Sequence, residues 1–165
     1  MTEPQNLRIR PATPSDGETF LALIQALADY EHLDGPDADA RRRLLTDAFG
    51  PHPRFSVLLA EFDGRAVGYA VMFETYSTFL ARPTLYLEDL FILPEFRRIG
   101  AGSALFKAVA AEARTRGCGR LEWQVLDWNR LAIDFYERFG AQRLRDWLPY
   151  RLTADDLHRF GSDGG

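Results

Sequence analysis

Leu85-Tyr86-Leu87-Glu88-Asp89-Leu90-Phe91-Ile92-Leu93-Pro94-Glu95-Phe96-Arg97-Arg98-Ile99-Gly100-Ala101-Gly102-Ser103 passes from an almost unbroken apolar run, through a proline, into a glycine-rich turn. Leu85 to Leu93 has the length and composition of a buried strand, interrupted only by Glu88-Asp89, and Pro94 ends it by withholding an N–H from the ladder. Behind the turn, Leu105, Phe106, Val109, Ala110 and Ala113 recur at helical spacing between Gly100 and Arg116, and Gly117 suits the left-handed cap that closes a helix. Leu121 to Leu126 then reads as a further strand. Strand, glycine turn, helix and strand form a crossover, which requires parallel neighbours.

Working outward, Ser56–Phe62 and Arg65–Tyr76 flank Asp63-Gly64, a pair that tolerates the positive φ of a tight hairpin, so two antiparallel strands are expected there. Leu7–Arg10 is an opening strand. Ser15 and Glu18 have the spacing of a capping box ahead of Phe20, Leu23, Ile24 and Leu27, which predicts a helix to about Tyr30. Asp37 caps a second helix carrying Leu44, Leu45, Ala48 and Phe49. Downstream, Asn129 caps a helix whose apolar face is Ala132, Ile133, Tyr136 and Phe139, ending at Gly140. Gln142 to Leu152 is expected to return as a last strand or hairpin, and the tail 154–165 lies outside the core, with 161–165 loose. The result is an α/β fold on a mixed sheet, a single domain over residues 1–165 with its core at about 7–153.

The bulk properties narrow the function classes. At 165 residues, 46 % hydrophobic and 27 % charged, the chain can bury one core, and its net charge of −4 does not suggest a nucleic-acid partner. One cysteine, Cys118, excludes an internal disulfide, and His32, His52 and His158 lack metal-ligand spacing, so no metal is expected. The first ten residues do not read as a signal peptide and no apolar run approaches membrane-spanning length, which points to a cytoplasmic protein with no membrane partner.

Three elements carry chemistry. The turn at Arg97-x-x-Gly100-x-Gly102 presents free backbone N–H groups and the positive end of a helix dipole, an anion site that Arg97 or Arg98 can reinforce. Glu88 lies in an apolar strand, where a carboxylate is costly unless paired, hydrated or used, and residues 88, 90 and 92 should share a face. Tyr136 lies on an apolar helix face, and its hydroxyl needs a polar partner if buried. Cys118, with Arg116 and Arg120 nearby, is the competing nucleophile, although no histidine lies in its motif.

The order and spacing of these elements, with Trp128-Asn129, Phe135-Tyr136 and Gly140-Ala141 behind them, resemble the GNAT N-acetyltransferases. Within that superfamily the chain is most similar to the diamine acetyltransferases that act on spermidine, spermine or thialysine. The resemblance extends from Arg10-Pro11 through Tyr30-Glu31 to about Leu152. It implies a GNAT fold, a mixed and mostly antiparallel sheet of about six to seven strands with about four helices, and a homodimer using acetyl-coenzyme A. The coenzyme would meet Leu90, Phe91 and Ile92, the turn Arg97, Arg98, Ile99, Gly100, Ala101, Gly102 and Ser103, and Asn129, Arg130, Leu131 and Ala132 with Tyr136. The amine would meet Tyr30, Glu31, Glu88, Asp89, Glu122, Trp123 and Gln124. Glu88 would accept the ammonium proton and Tyr136 would protonate the departing thiolate. Ser77-Thr78-Phe79 and Leu148 stand where polyamine-acetylating relatives carry acidic residues, which favours a short amine over a long polycation. Protein acetylation and non-catalytic binding of an acyl-coenzyme A are the alternatives.

Overall fold

The computed structural model describes residues 6–162. The chain divides into two compact units, one reaching to Gln124 and the other beginning at Val125. The first holds strands β1 (Leu7–Pro11), β2 (Ser56–Phe62), β3 (Arg65–Ser77), β4 (Arg82–Ile92) and β5 (Arg120–Glu122), with helices α1 (Gly17–Tyr30), α2 (Ala38–Phe49) and α3 (Ala101–Thr115). The second holds α4 (Arg130–Arg138) and α5 (Ala154–Ser162).

The sheet runs in the order β1-β2-β3-β4-β5, antiparallel up to β4 and parallel between β4 and β5. Asp63 and Gly64 both take positive φ, 51° and 78°, and turn β2 into β3 as the Asp-Gly pair requires. One face of the sheet is packed by α1: Phe20 and Leu23 meet Val57, Leu59, Tyr69, Val71 and Phe91, and the Phe20 ring stands 5.7 Å from Tyr69 at 78°. The alternate strand residues, including Ala70, Met72 and Leu87, belong to the other face, where the buried Ala101, Leu105 and Val109 of α3 pack. Phe20 is fully buried, so truncation to alanine would cost about 3–5 kcal/mol.

Several expectations are corrected. The capping box before α1 is formed by Thr13 and Asp16, not Ser15 and Glu18: the Asp16 carboxylate accepts from the Thr13 N–H at 2.7 Å and also binds Arg10 at 2.8 Å. That second partner, 6 residues upstream, favours Asp16 over a solvent-facing Glu18. β5 stops at Glu122, because its ladder is confined to Thr84, Leu85 and Tyr86 of β4. The segment 142–152 forms no strand: the described part of the second unit contains no strand to pair with it, and an isolated extended segment is not stable alone. Among the described residues, five strands therefore replace the six to seven expected. Among the described residues α-helices number five rather than about four, because residues 154–162 of the tail are helical, with the Asp156 carboxylate and the Thr153 hydroxyl bonding each other and each other's main-chain N–H at the helix start.

Among the described residues no helix is long and apolar enough to cross a membrane, and no group of three or more His, Cys, Asp or Glu could hold a metal ion.

Candidate active site

β4 changes character halfway along. Leu87 pairs with Met72 and Asp89 with Val71, so Glu88 is an extra residue, the unpaired member of a β-bulge. A bulge turns two successive side chains to one side. Asp89 opposite Val71, and Phe91 opposite Tyr69, thus lie on the α1 face together with Glu88, in place of the expected set 88, 90 and 92. Glu88 is exposed, whereas Asp89 is half-buried and accepts a 2.9 Å hydrogen bond from the hydroxyl of fully buried Tyr69.

Electrostatics binds these groups into one cluster. Burial pushes the Asp89 carboxyl up to about 6, the Tyr69 hydrogen bond opposes that shift, and the charges of Glu88 and Glu31 add to it. Tyr69 is pushed well above the usual phenol range, first by burial and then by Asp89. Glu31, just past the end of α1, is raised by burial. Tyr86 is raised by burial and by the charges of Glu88 and Glu122. Four carboxylates, Glu31, Glu88, Asp89 and Glu122, therefore act on a small set of tyrosines, an environment suited to a cation. The sequence pattern missed Tyr69; its signal was a tyrosine inside the apolar run Val67–Met72, whose hydroxyl had to find a partner.

Of the other residues expected to meet the amine, Glu122 pairs with Arg120 at 2.7 Å, Trp123 stands edge-on to Phe106 of α3 at 5.3 Å, and Gln124 is exposed. Tyr30 lies under the Arg97 guanidinium, 4.6 Å from its ring centroid.

The strand also loses a neighbour. Beyond Tyr86 no strand pairs with the β5-side edge of β4 among the described residues, so Leu87 to Ile92 is laddered only to β3. This one-sided segment leads through Pro94–Phe96, a turn of 3-10 helix, into Arg97–Gly100 and the start of α3. Gly100 is the N-cap at φ 86°, makes no side-chain cap, and accepts from the Ala104 N–H at 3.0 Å. The first N–H groups of α3, on Ala101, Gly102 and Ser103, precede any residue that could accept them within the helix, so they are oriented toward the turn. Arg98 is exposed and holds φ at 74°, a left-handed conformation that disfavours any residue but glycine.

In the second unit, the Asn129 side chain accepts from the Ala132 N–H at 3.2 Å and fixes the start of α4, which exposes Arg130 and Leu131 and buries Ile133. Tyr136 is half-buried, 5.1 Å from Phe135 in an edge-on pair. Burial and then the charge of Glu74 push the Cys118 thiol up, against the opposing charge of Arg116, which itself binds Glu112 at 2.8 Å and Ser56 at 3.0 Å; a raised thiol is a weaker nucleophile at neutral pH.

The model of the acetyltransferase (GNAT) family matches residues 20–141 of this chain, a span that includes the one-sided segment of β4, the glycine turn and the start of α3. The chain belongs to that family. A thialysine N-epsilon-acetyltransferase of Bos taurus is 38 % identical over 163 residues, covering 92 % of this chain and 95 % of its own. An L-ornithine acetyltransferase of Arabidopsis thaliana is 47 % identical over 90 residues, 54 % of this chain and 40 % of its own. Among solved structures, an aminoglycoside N-acetyltransferase in complex with CoA has a TM-score of 0.76 at 21 % identity, covering 92 % of this chain and 98 % of that one. That likeness establishes the shared GNAT fold.

Proposed function

We propose that this enzyme transfers the acetyl group of acetyl-coenzyme A to the primary amine of a small cationic molecule of the diamine, thialysine or ornithine kind. The observation that carries the reading is the edge of β4 from Leu87 to Ile92, unpaired among the described residues, which leads through the turn at Arg97–Gly100 to the first N–H groups of α3. Such an edge accepts an amide-bearing chain by main-chain pairing, and the helix start accepts phosphate oxygens, so the two together fit a coenzyme A. Leu90, Phe91 and Ile92 would hold its arm, and the main chain from Arg98 and Ile99 through Gly100, Ala101, Gly102 and Ser103 its pyrophosphate. Asn129, Arg130, Leu131 and Ala132, at the start of α4, complete the set. When bound, acetyl-coenzyme A supplies the activated thioester.

The acceptor side is assigned to Tyr30, Glu31, Glu88, Asp89 and Glu122, with Trp123 and Gln124 following on β5. An alkylamine of pKa about 10.4 carries its lone pair in only about one molecule in a few thousand at neutral pH. The acidic cluster draws the ammonium in, and Glu88, exposed on its bulge, takes the proton directly or through water. The neutral amine attacks the thioester carbonyl, the main-chain N–H near Leu90 stabilises the oxyanion charge, and as the C–S bond breaks the Tyr136 phenol gives its proton to the thiolate and regains one from the newly acylated nitrogen. No enzyme-bound acyl group is required, which accords with the raised thiol of Cys118. The short-amine preference is supported by the names of the thialysine and ornithine relatives. The same reading includes a cytoplasmic homodimer: Trp147, Leu148 and Tyr150 leave large apolar side chains exposed, a surface that a second copy would cover.

The test follows free thiol released from acetyl-coenzyme A against lysine analogues, ornithine, diamines, spermidine and a peptide, with coenzyme binding measured by calorimetry. Turnover with the short amines is expected; absence of coenzyme binding would sink the proposal. Tyr136→Phe should lower kcat by about 10²-fold, the scale of one general acid, with coenzyme affinity unchanged.

A further inference from the structure

Arg97 and Arg98 are adjacent in sequence and spend their charges differently. Arg98 is exposed at the turn, whereas the half-buried Arg97 folds back toward α1. The Arg97 guanidinium lies 4.6 Å from the Tyr30 ring centroid and 5.6 Å from that of Phe91, and its Nε–H donates to the Ile92 carbonyl at 3.2 Å. The two rings are themselves 6.0 Å apart. One planar cation is thus held by two π faces and a carbonyl, a fit that a guanidinium makes and an ammonium does not. Tyr30 is the last residue of α1, so the cation also sits at the negative end of that helix dipole.

We propose that Arg97 is a positioning residue of the amine side. Its side chain clamps the Tyr30 ring and thereby fixes the end of α1, from which Glu31 follows directly. Through Phe91 and Ile92 the same clamp ties that helix end to the one-sided segment of β4. The inference rests on the assignment of Tyr30 and Glu31 to the amine side. It leaves the phosphates to the main chain of the turn and to Arg98.

The test compares Arg97→Ala, Arg97→Lys and Tyr30→Leu in steady-state kinetics with the best amine, alongside coenzyme A binding by calorimetry. Arg97→Ala should raise the amine KM about fivefold to tenfold, with kcat and coenzyme A affinity within about twofold. Arg97→Lys should recover less than half of that loss, because it keeps the charge and loses the plane. The double variant Arg97→Ala/Tyr30→Leu should be no worse than the poorer single one, since both remove one contact. Weakened coenzyme A binding with an unchanged amine KM would make Arg97 a phosphate ligand and overturn the inference, as would strictly additive KM effects. If Arg97→Ala does not fold, Arg97→Lys and Tyr30→Leu carry the same comparison. A wild type that turns over no amine fails the assignment of the site; a wild type that turns over, beside an Arg97→Ala with unchanged amine KM, fails this inference alone.

Discussion

The two halves of β4 do different work with one continuous strand. From Thr84 to Tyr86 the strand is laddered on both edges, to β3 and to β5, and Thr84 and Leu85 are fully buried. From Leu87 to Ile92 it keeps β3 alone, and the joint between the halves is the Glu88 bulge. Pairing on both edges satisfies the main chain and leaves nothing to recognise; pairing on one edge leaves donors and acceptors for a ligand. The bulge adds a second effect, since it turns two carboxylates to the face that a continuous ladder would have given to one.

The largest expected contrast lies between substitutions in the two halves. Glu88→Gln should lower kcat/KM by about 10²- to 10³-fold, the range for loss of a proton acceptor, with little change in Tm. Thr84→Val should do the reverse. Its buried hydroxyl accepts from Arg120 at 3.3 Å, so removing it should cost about 1 kcal/mol, near 2–4 °C in Tm, and leave kcat/KM intact. Equal kinetic losses in the two variants would erase the distinction between the halves.

A smaller contrast separates the two carboxylates of the bulge. Tyr69 donates to Asp89 and holds its carboxyl lower than burial alone would, so Tyr69→Phe should move Asp89 upward from about 6. If the ionised Asp89 attracts the amine, the acidic limb of the kcat/KM profile moves to higher pH by up to about one unit, the worth of one hydrogen bond. The stability consequence has a definite sign. Asp89 binds its proton more tightly folded than unfolded, where the ordinary value is 3.8, so its contribution is full below pH 3.8 and is lost as pH rises through about 6. Asp89→Asn should flatten that part of the pH–stability curve; an unchanged curve would show that Asp89 is solvated like any surface carboxylate.

The sequence disclosed those parts of the fold whose determinants are local. The β2–β3 hairpin follows from Asp63-Gly64, α3 from its apolar spacing and Gly117, and α4 from Asn129, whose side chain does cap it. What it concealed depends on partners far along the chain. The bulge is a matter of register between β3 and β4, and Glu88-Asp89 only hinted at it by interrupting the apolar run. The Tyr69–Asp89 bond spans 20 residues and has no local spacing. The shortness of β5 reflects how little of β4 is offered to it, which periodicity within Leu121–Leu126 could not reveal. The two arginines of the turn look equivalent as letters and are separated only by aromatic rings contributed by α1 and β4.

The smallest expected effect concerns the end of the one-sided half, where the strand gives way to the turn. Arg98 holds φ at 74° within two residues of Gly100 at 86°, so the turn asks for left-handed backbone twice and has glycine once. A side chain in that region costs about 1–2 kcal/mol, which glycine escapes while losing about 0.5–1 kcal/mol to its freer unfolded state. Arg98→Gly should therefore stabilise the fold by at most about 1 kcal/mol, some 2–4 °C in Tm for a domain of this size. The same change removes an exposed cation from the proposed phosphate site, worth no more than about 1 kcal/mol and so about fivefold in coenzyme A affinity. Opposite signs in the two measurements are the signature: a residue kept for its charge in a backbone conformation that resists it. Arg98→Asn, which tolerates left-handed backbone better than arginine does, should lose the same affinity and gain less stability than glycine. If Arg98→Gly weakened the fold and left coenzyme A binding untouched, the side chain would be packing the turn, and the main chain alone would have to hold the phosphates.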